Sequence, residues 1–401
     1  MRPTSLSLGA GRLHDWSGHY FWSAFLIAAL LCFSPVSYAQ EEGINYSIVY
    51  TGETWVNTTG GIDTGSEYVS VLDLTMDASL GSGTLFLWGF YSNSSDLSGS
   101  LVGDIQAVSS IDNSEVFRVL EAWYSYDFSD DTASIKAGLV DLNSEFDAIE
   151  PASLFVNGSH GIGADFSQTG ENGPSLYPTT APAVVVEFAP WVNWFLRFGA
   201  FDAIPNDPDN PDRMKLSLGD GALLVGEANY VTDLGLRVGT GVWGYTSKFD
   251  VNYSPAVSGE REDGNWGAYI FASSDLYSTE NNNKLSGWIR YGIADNTNIN
   301  FLKSYLGTGL VYTGLFPARP EDEIGFAIAS AFIGDEAKNA ARAAGGAVSN
   351  AETSIELTYR AQLTDWLAIQ PDIQYVLNPG IIGGLSDALV IGVRFEMALN
   401  F

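Results

Sequence analysis

The chain ends in DALVIGVRFEMALNF, Asp387 to Phe401. Counted back from the terminus, every second residue is apolar: Phe401, Leu399, Met397, Phe395, Val393 and Ile391. Arg394, Glu396 and Asn400 fall between them. A period of two sustained over this length is a β-strand whose two faces meet different surroundings. One face is greasy, the other carries a charged pair, and the strand stops on an aromatic. Which face is wet decides the fold.

The same alternation recurs along the chain. It predicts strands over 43–56, 67–79, 83–92, 116–128, 132–142, 181–189, 192–203, 221–231, 234–247, 265–277, 284–294, 299–314, 323–333, 353–363, 366–377 and 388–401, about sixteen in all. Short connectors at 81–83, 129–131, 189–190, 232–233, 280–283, 317–322 and 364–365 alternate with long ones. The long ones are 57–66, 93–115, 143–180, 204–220, 248–264, 334–352 and 378–387, while 295–298 is brief where a long one is due. A sandwich has no reason to keep that rhythm, whereas a transmembrane antiparallel β-barrel has tight periplasmic turns and extended external loops. With sixteen strands the interior is too wide for side chains to fill and holds water. The apolar face therefore points outward, into lipid. Leu357 and Leu363 then face lipid while Glu356, Arg360 and Gln362 face the lumen.

Composition sets the bounds. Net charge is −30 with 18 Lys+Arg, so no basic stripe exists to neutralise phosphates and a nucleic-acid partner is excluded. Gly (43), Tyr (19), Phe (22) and Trp (11) are plentiful, as strands and turns require. Residues 1–39 read as a cleaved secretory signal, with Arg2 and Arg12 before the apolar Phe21–Phe33 and a small-residue site at Ser37-Tyr38-Ala39. Residues 40–401 then form the barrel domain, without cysteine, since the single Cys32 lies in the leader. Past the leader His160 is the only histidine, set in a Gly-rich loop without a nucleophile elbow beside it. Triads and His/Cys metal centres are starved of ligands, and no P-loop or dinucleotide fingerprint appears, so neither an enzyme nor a cofactor is expected.

Four blocks carry a family likeness: GLVDLNSEFD (138–147), SLFVNGSHGIGADFSQTGENGPSLYP (153–178), FDAIPNDPDNPDR (201–213) and IELTYRAQLTDWLAIQPDIQYVLNPG (355–380). They resemble the OprB-like carbohydrate-selective porins of Gram-negative bacteria. The resemblance implies a 16-stranded outer-membrane barrel passing monosaccharides such as glucose and similar small hydrophilic solutes by diffusion. It departs from the family pattern at Val140, where an aromatic is common, and in its sparse arginine. The terminal Phe401 looks like the signal read by the barrel assembly machinery. Lipid, lipopolysaccharide and small carbohydrates are the other partners implied, with the barrel a monomer or a homotrimer. Two alternatives stand beside this reading: a general, weakly cation-preferring diffusion porin, and a secreted β-rich sugar-binding protein.

Alternation places Arg197, Arg237, Arg290, Arg360 and Arg394 on polar faces, with Glu121, Glu187, Glu227, Glu356, Asp372 and Glu396. Sugar hydroxyls donate to carboxylates and accept from guanidinium forks, so such rows suit a polyhydroxy solute. The same groups can instead brace the wall by pairing across strands, Arg394 with Glu396 foremost. Trp243 and Trp288 are expected either to stack on pyranose faces or to sit in an interfacial girdle. The longest connector, 143–180, is expected inside the lumen, with Asp141, Asn143, Glu145, Asp147 and His160 as constriction groups. DPDNPD (207–212) suggests a cation site but reads better as a solvated loop, so no metal is assigned. The Ala-rich 336–346 predicts a short external helix ended by glycines.

Overall fold

Alternation alone does not keep a strand in hydrocarbon. Every backbone N–H and C=O must also find a partner, and closure into a cylinder leaves no edge. The structure, a computed structural model, describes residues 43–93, 95–128, 132–206, 219, 221–253, 260–279, 283–295 and 297–401. The predicted leader, residues 1–39, and the DPDNPD stretch lie outside them.

Within these residues the strands are β1 (Ile44–Gly61), β2 (Gly65–Leu80), β3 (Gly83–Ser92), β4 (Val116–Asp127), β5 (Ala133–Val140), β6 (Ala181–Trp191), β7 (Trp194–Asp202), β8 (Ala222–Val231) and β9 (Arg237–Tyr245). A two-stranded hairpin, β10 (Phe249–Asp250) with β11 (Arg261–Glu262), sits in the following loop. The chain continues through β12 (Trp266–Ser278), β13 (Lys284–Ala294), β14 (Leu302–Thr313), β15 (Glu323–Ile333), β16 (Ala351–Thr364), β17 (Leu367–Leu377) and β18 (Ser386–Asn400). The strands outside the hairpin each pair antiparallel with two neighbours, and β1 pairs with β18 to close a 16-stranded barrel.

The terminal strand earns its pattern at this seam. Phe401 and Tyr46 exchange backbone hydrogen bonds at 2.9 and 3.2 Å, so the last residue is part of the closing ladder. Glu53 lies opposite Arg394 and takes a 2.6 Å hydrogen bond from its Nε on the lumenal side. On the lipid side Gly52 lies opposite Phe395, whose ring covers it. The Tyr50 and Tyr68 hydroxyls satisfy each other there at 2.6 Å, as polar groups facing lipid must. A Cβ at Gly52 would come within 2.4 Å of the Phe395 ring and 2.7 Å of the Tyr68 oxygen. Gly52→Val is therefore expected to cost about 1–3 kcal/mol through overpacking. The folded band on unheated gels should convert at a lower temperature; an unchanged conversion would contradict the seam packing.

The two faces divide as alternation requires. Leu357 and Ile373 are 46% and 43% exposed, while Glu356 and Asp372 are buried beneath chain that enters the lumen. One strand departs from simple alternation. Phe117 and Val119 face out, which by parity would send Glu121 out as well. A β-bulge between the pairs Trp88/Glu121 and Gly89/Val119 turns Glu121 inward.

The predicted 57–66 connector is shorter than expected: β1 and β2 extend through most of it, leaving residues 62–64 between them. The predicted helix forms at Asp335–Ala343, and Gly345 follows it at φ 79°.

Candidate functional site

Residues 141–180, between β5 and β6, cross the lumen. Their backbone groups leave water as they do so and must find partners there. Wall side chains supply them from around the barrel. On β4, Glu121 accepts the Asp141 N–H at 2.8 Å. On β8, Glu227 accepts the Asp147 N–H at 2.8 Å and the Tyr269 hydroxyl at 2.5 Å. On β16, Glu356 accepts Val156 and Asn157 N–H at 2.6 and 3.1 Å. On β17, Gln370 donates to the Leu154 carbonyl at 2.7 Å. A segment held from β4, β8, β16 and β17 at once lies within the cylinder.

Arg290 on β13 holds the middle of the segment. Its guanidinium contacts Asp147 at 2.7 Å and Asp165, all three side chains being buried. Planar donors facing two carboxylates suit arginine and no other side chain. Local capping shapes the ends: Asp141 accepts the Asn143 N–H at 2.7 Å and Asn157 the Ser159 N–H at 3.0 Å. The Asn143 amide donates to the Phe146 and Gly161 carbonyls, both at 3.1 Å, tying one turn of the segment to the next.

The aromatics expected to meet sugar or lipid do neither. Trp243 and Trp288 face inward but lie under the segment. Phe166 stacks on Trp243 at 4.9 Å, and the His160 ring meets Trp288 edge-on at 5.5 Å. Burial pushes the His160 imidazole down to about 3, so it is neutral. Its 3.5 Å approach to Glu356 is therefore not an ion pair. His160 is a packing residue between Phe155 and Trp288 rather than an exposed constriction group. Arg290, Glu227 and Glu356 likewise face the lumen but are spent on the segment. They hold the inserted segment in place.

A second loop enters the barrel, which its length and Gly/Ser content did not reveal. In the 93–115 connector, Ile105 and Gln106 donate N–H groups to Glu352 of β16 at 3.0 and 3.1 Å. Gln374 of β17 donates to the Val108 carbonyl at 2.8 Å, and Gly158 N–H reaches Ala107 O at 2.8 Å. Glu352 and Gln374 were thus missed, as was Arg118 of β4, whose Nη1 donates to the Pro178 carbonyl of the first segment at 3.2 Å. Their only sequence signal is polarity at lumenal parity, and for Arg118 the flanking apolar pair Phe117 and Val119.

Nearer the periplasm the polar wall stays partly exposed. Lys136 and Arg197 both pair with Glu145 of the segment, and Arg197 pairs with Glu187 as well. Glu396 pairs with Arg360 at 3.1 Å, not with Arg394, which is engaged by Glu53 across the seam. Beneath the short helix Glu150–Leu154 a chamber of about 480 Å³ remains, reached by Arg237, Arg360 and Arg394. Its wall comes from the periplasmic ends of the strands and its roof from the inserted segment.

The profile of the carbohydrate-selective porin, OprB family, matches residues 89–399. The chain belongs to the OprB family. Among curated relatives of this OprB-family porin, Porin B of Pseudomonas aeruginosa is 25% identical over 405 residues, covering 89% of this chain and 87% of that one. Putative porin QuiX of Acinetobacter baylyi is 24% identical over 315 residues, 72% of this chain and 70% of its own. The high-pH structure of Pseudomonas putida OprB superposes with a TM-score of 0.80 at 21% identity, covering 94% of this chain and 97% of that one; this likeness is one of fold. The family and fold are those of outer-membrane channels in Gram-negative bacteria, which sets aside the freely secreted sugar-binding protein.

Proposed function

We propose that this porin admits small neutral carbohydrates, monosaccharides such as glucose among them, by passive diffusion. The observation that carries this reading is the partly filled lumen. Two inward loops narrow the barrel, and the cations along its wetted wall mostly stand beside carboxylates. Such a wall exerts little net pull on an ion of either sign, yet it presents hydrogen-bond donors and acceptors to hydroxyls. We also take residues 1–39 as a cleaved leader and Phe401 as the residue read during barrel assembly in a lipopolysaccharide-bearing membrane, the product being a monomer or a homotrimer.

The net charge of −30 supports a second reading, general diffusion with a weak preference for cations through the field of the acidic molecule. Liposome swelling separates the two. Glucose is expected to enter faster than an amino acid or gluconate of similar size. Equal rates for all solutes below one size limit would reject sugar selectivity, and faster entry of cationic solutes would favour the second reading.

A further inference from the structure

Glu356 of β16 accepts the Val156 and Asn157 N–H groups and so seats the inserted segment against the wall. It does this without a cation. Among the described residues no lysine or arginine pairs with it, and the buried His160 imidazole 3.5 Å away is neutral. What lies against Glu356 is a second carboxyl. Asp372 of β17 stands opposite Thr358 in the ladder, hence diagonally across from Glu356, which is itself opposite Gln374.

Both residues are fully buried, and their carboxyls are hydrogen-bonded to each other. Two carboxylates offer only acceptors, so the bond exists only if one of them carries a proton. The other contacts of Asp372 agree. Gln374 Nε2 donates to its Oδ1 at 3.1 Å, whereas the buried Oδ2 has no partner among the amides and hydroxyls of the described residues. An ionised oxygen left so in a dry site is costly, and a proton between the carboxyls satisfies it. Few other charged or titratable groups face the pair. The segment brings His160, β14 brings Tyr305, and β18 brings Arg394, which is engaged by Glu53. From β15 the facing residue is Ala327, and from the 93–115 loop the Val108 carbonyl meets Gln374.

We propose that Asp372 is a positioning residue: its carboxyl shares one proton with Glu356, and that proton keeps the inserted segment seated. The inference is independent of which solute the porin passes. Without the proton two buried anions face each other, and release of the segment lets water reach them. Seating thus takes one proton from water, and release returns it. Carboxyls bared to water ionise near pH 4, so from about pH 4 upward each pH unit favours release about tenfold, until the seated pair ionises in place. Below that range both states hold the proton, and seating is firmest.

The test records the full chain in planar bilayers from mildly acid to alkaline pH. Wild type should show high-conductance openings whose occupancy climbs with pH, by up to about tenfold per unit. Asp372→Asn puts an amide donor where the proton was, so its occupancy should not vary with pH. Glu356→Gln makes the same exchange from the other side and should be equally flat. Should one variant fail to assemble, the other decides. A flat wild-type profile, or a slope that both variants retain, overturns the proposal. Infrared difference spectra at neutral pH read the proton itself, whatever the current does. Each variant should lack one protonated carboxylic acid that wild type has, and spectra in which neither lacks it show that no proton is shared.

Discussion

Arg290→Ala is expected to unseat the inserted segment and raise single-channel conductance severalfold. The substitution leaves Asp147 and Asp165 facing each other in a buried site without their shared cation. Removing one partner from such a buried network costs about 3–5 kcal/mol. The barrel ladder does not pass through this site, so the segment is what yields. Arg290→Lys should give an intermediate conductance, because an ammonium keeps the charge but not the fork. Combining Arg290→Met with Asp147→Asn and Asp165→Asn removes the charges together and should restore much of the closed state. A conductance indistinguishable from wild type in Arg290→Ala would show that the segment does not limit flow or is not held by this site.

Deleting Ser153–Asn172 has the larger effect. It removes Val156 and Asn157 from Glu356, Asp165 from Arg290, and Phe166 from Trp243. What it uncovers is Glu356, Asp372, Trp243 and Trp288 on a wall that then meets water, where bared polar groups are hydrated rather than orphaned. All barrel hydrogen bonds between neighbouring strands remain, so the deleted chain should still fold as a heat-modifiable species. Conductance should rise further than in Arg290→Ala, and oligosaccharides excluded from the wild type should enter liposomes. A folded deletion mutant with unchanged conductance would place the constriction elsewhere.

Strand number and the facing of each strand were legible because period-two alternation is a local property, written residue by residue in segments such as 353–363 and 388–401. Entry of the long 143–180 connector into the barrel was also foreseen. Its grip was not. Alternation places Arg290, Glu227 and Glu356 on the lumenal side but says nothing of what approaches them from across the barrel. The same blindness explains Trp243 and Trp288, read as sugar platforms or girdle and found beneath Phe166 and His160. It also explains the mistaken partner of Arg394. Two residues apart on one strand, Arg394 and Glu396 look like a pair; on the closed wall Glu53 is brought directly opposite Arg394, and Arg360 reaches Glu396 from two strands away. Even Glu121 reaches the lumen through a bulge that strict parity does not contain.

By itself, then, the sequence determined that this chain is a barrel with lipid outside and polar groups within, since the side-chain period of a strand is set by its own backbone. Tertiary structure alone decided which of those inward groups hold the two loops and which stay open to a solute. That choice depends on contacts between residues far apart in the chain, and a neutral or charged side chain at lumenal parity looks the same in sequence whether a backbone amide or a water molecule ends up beside it.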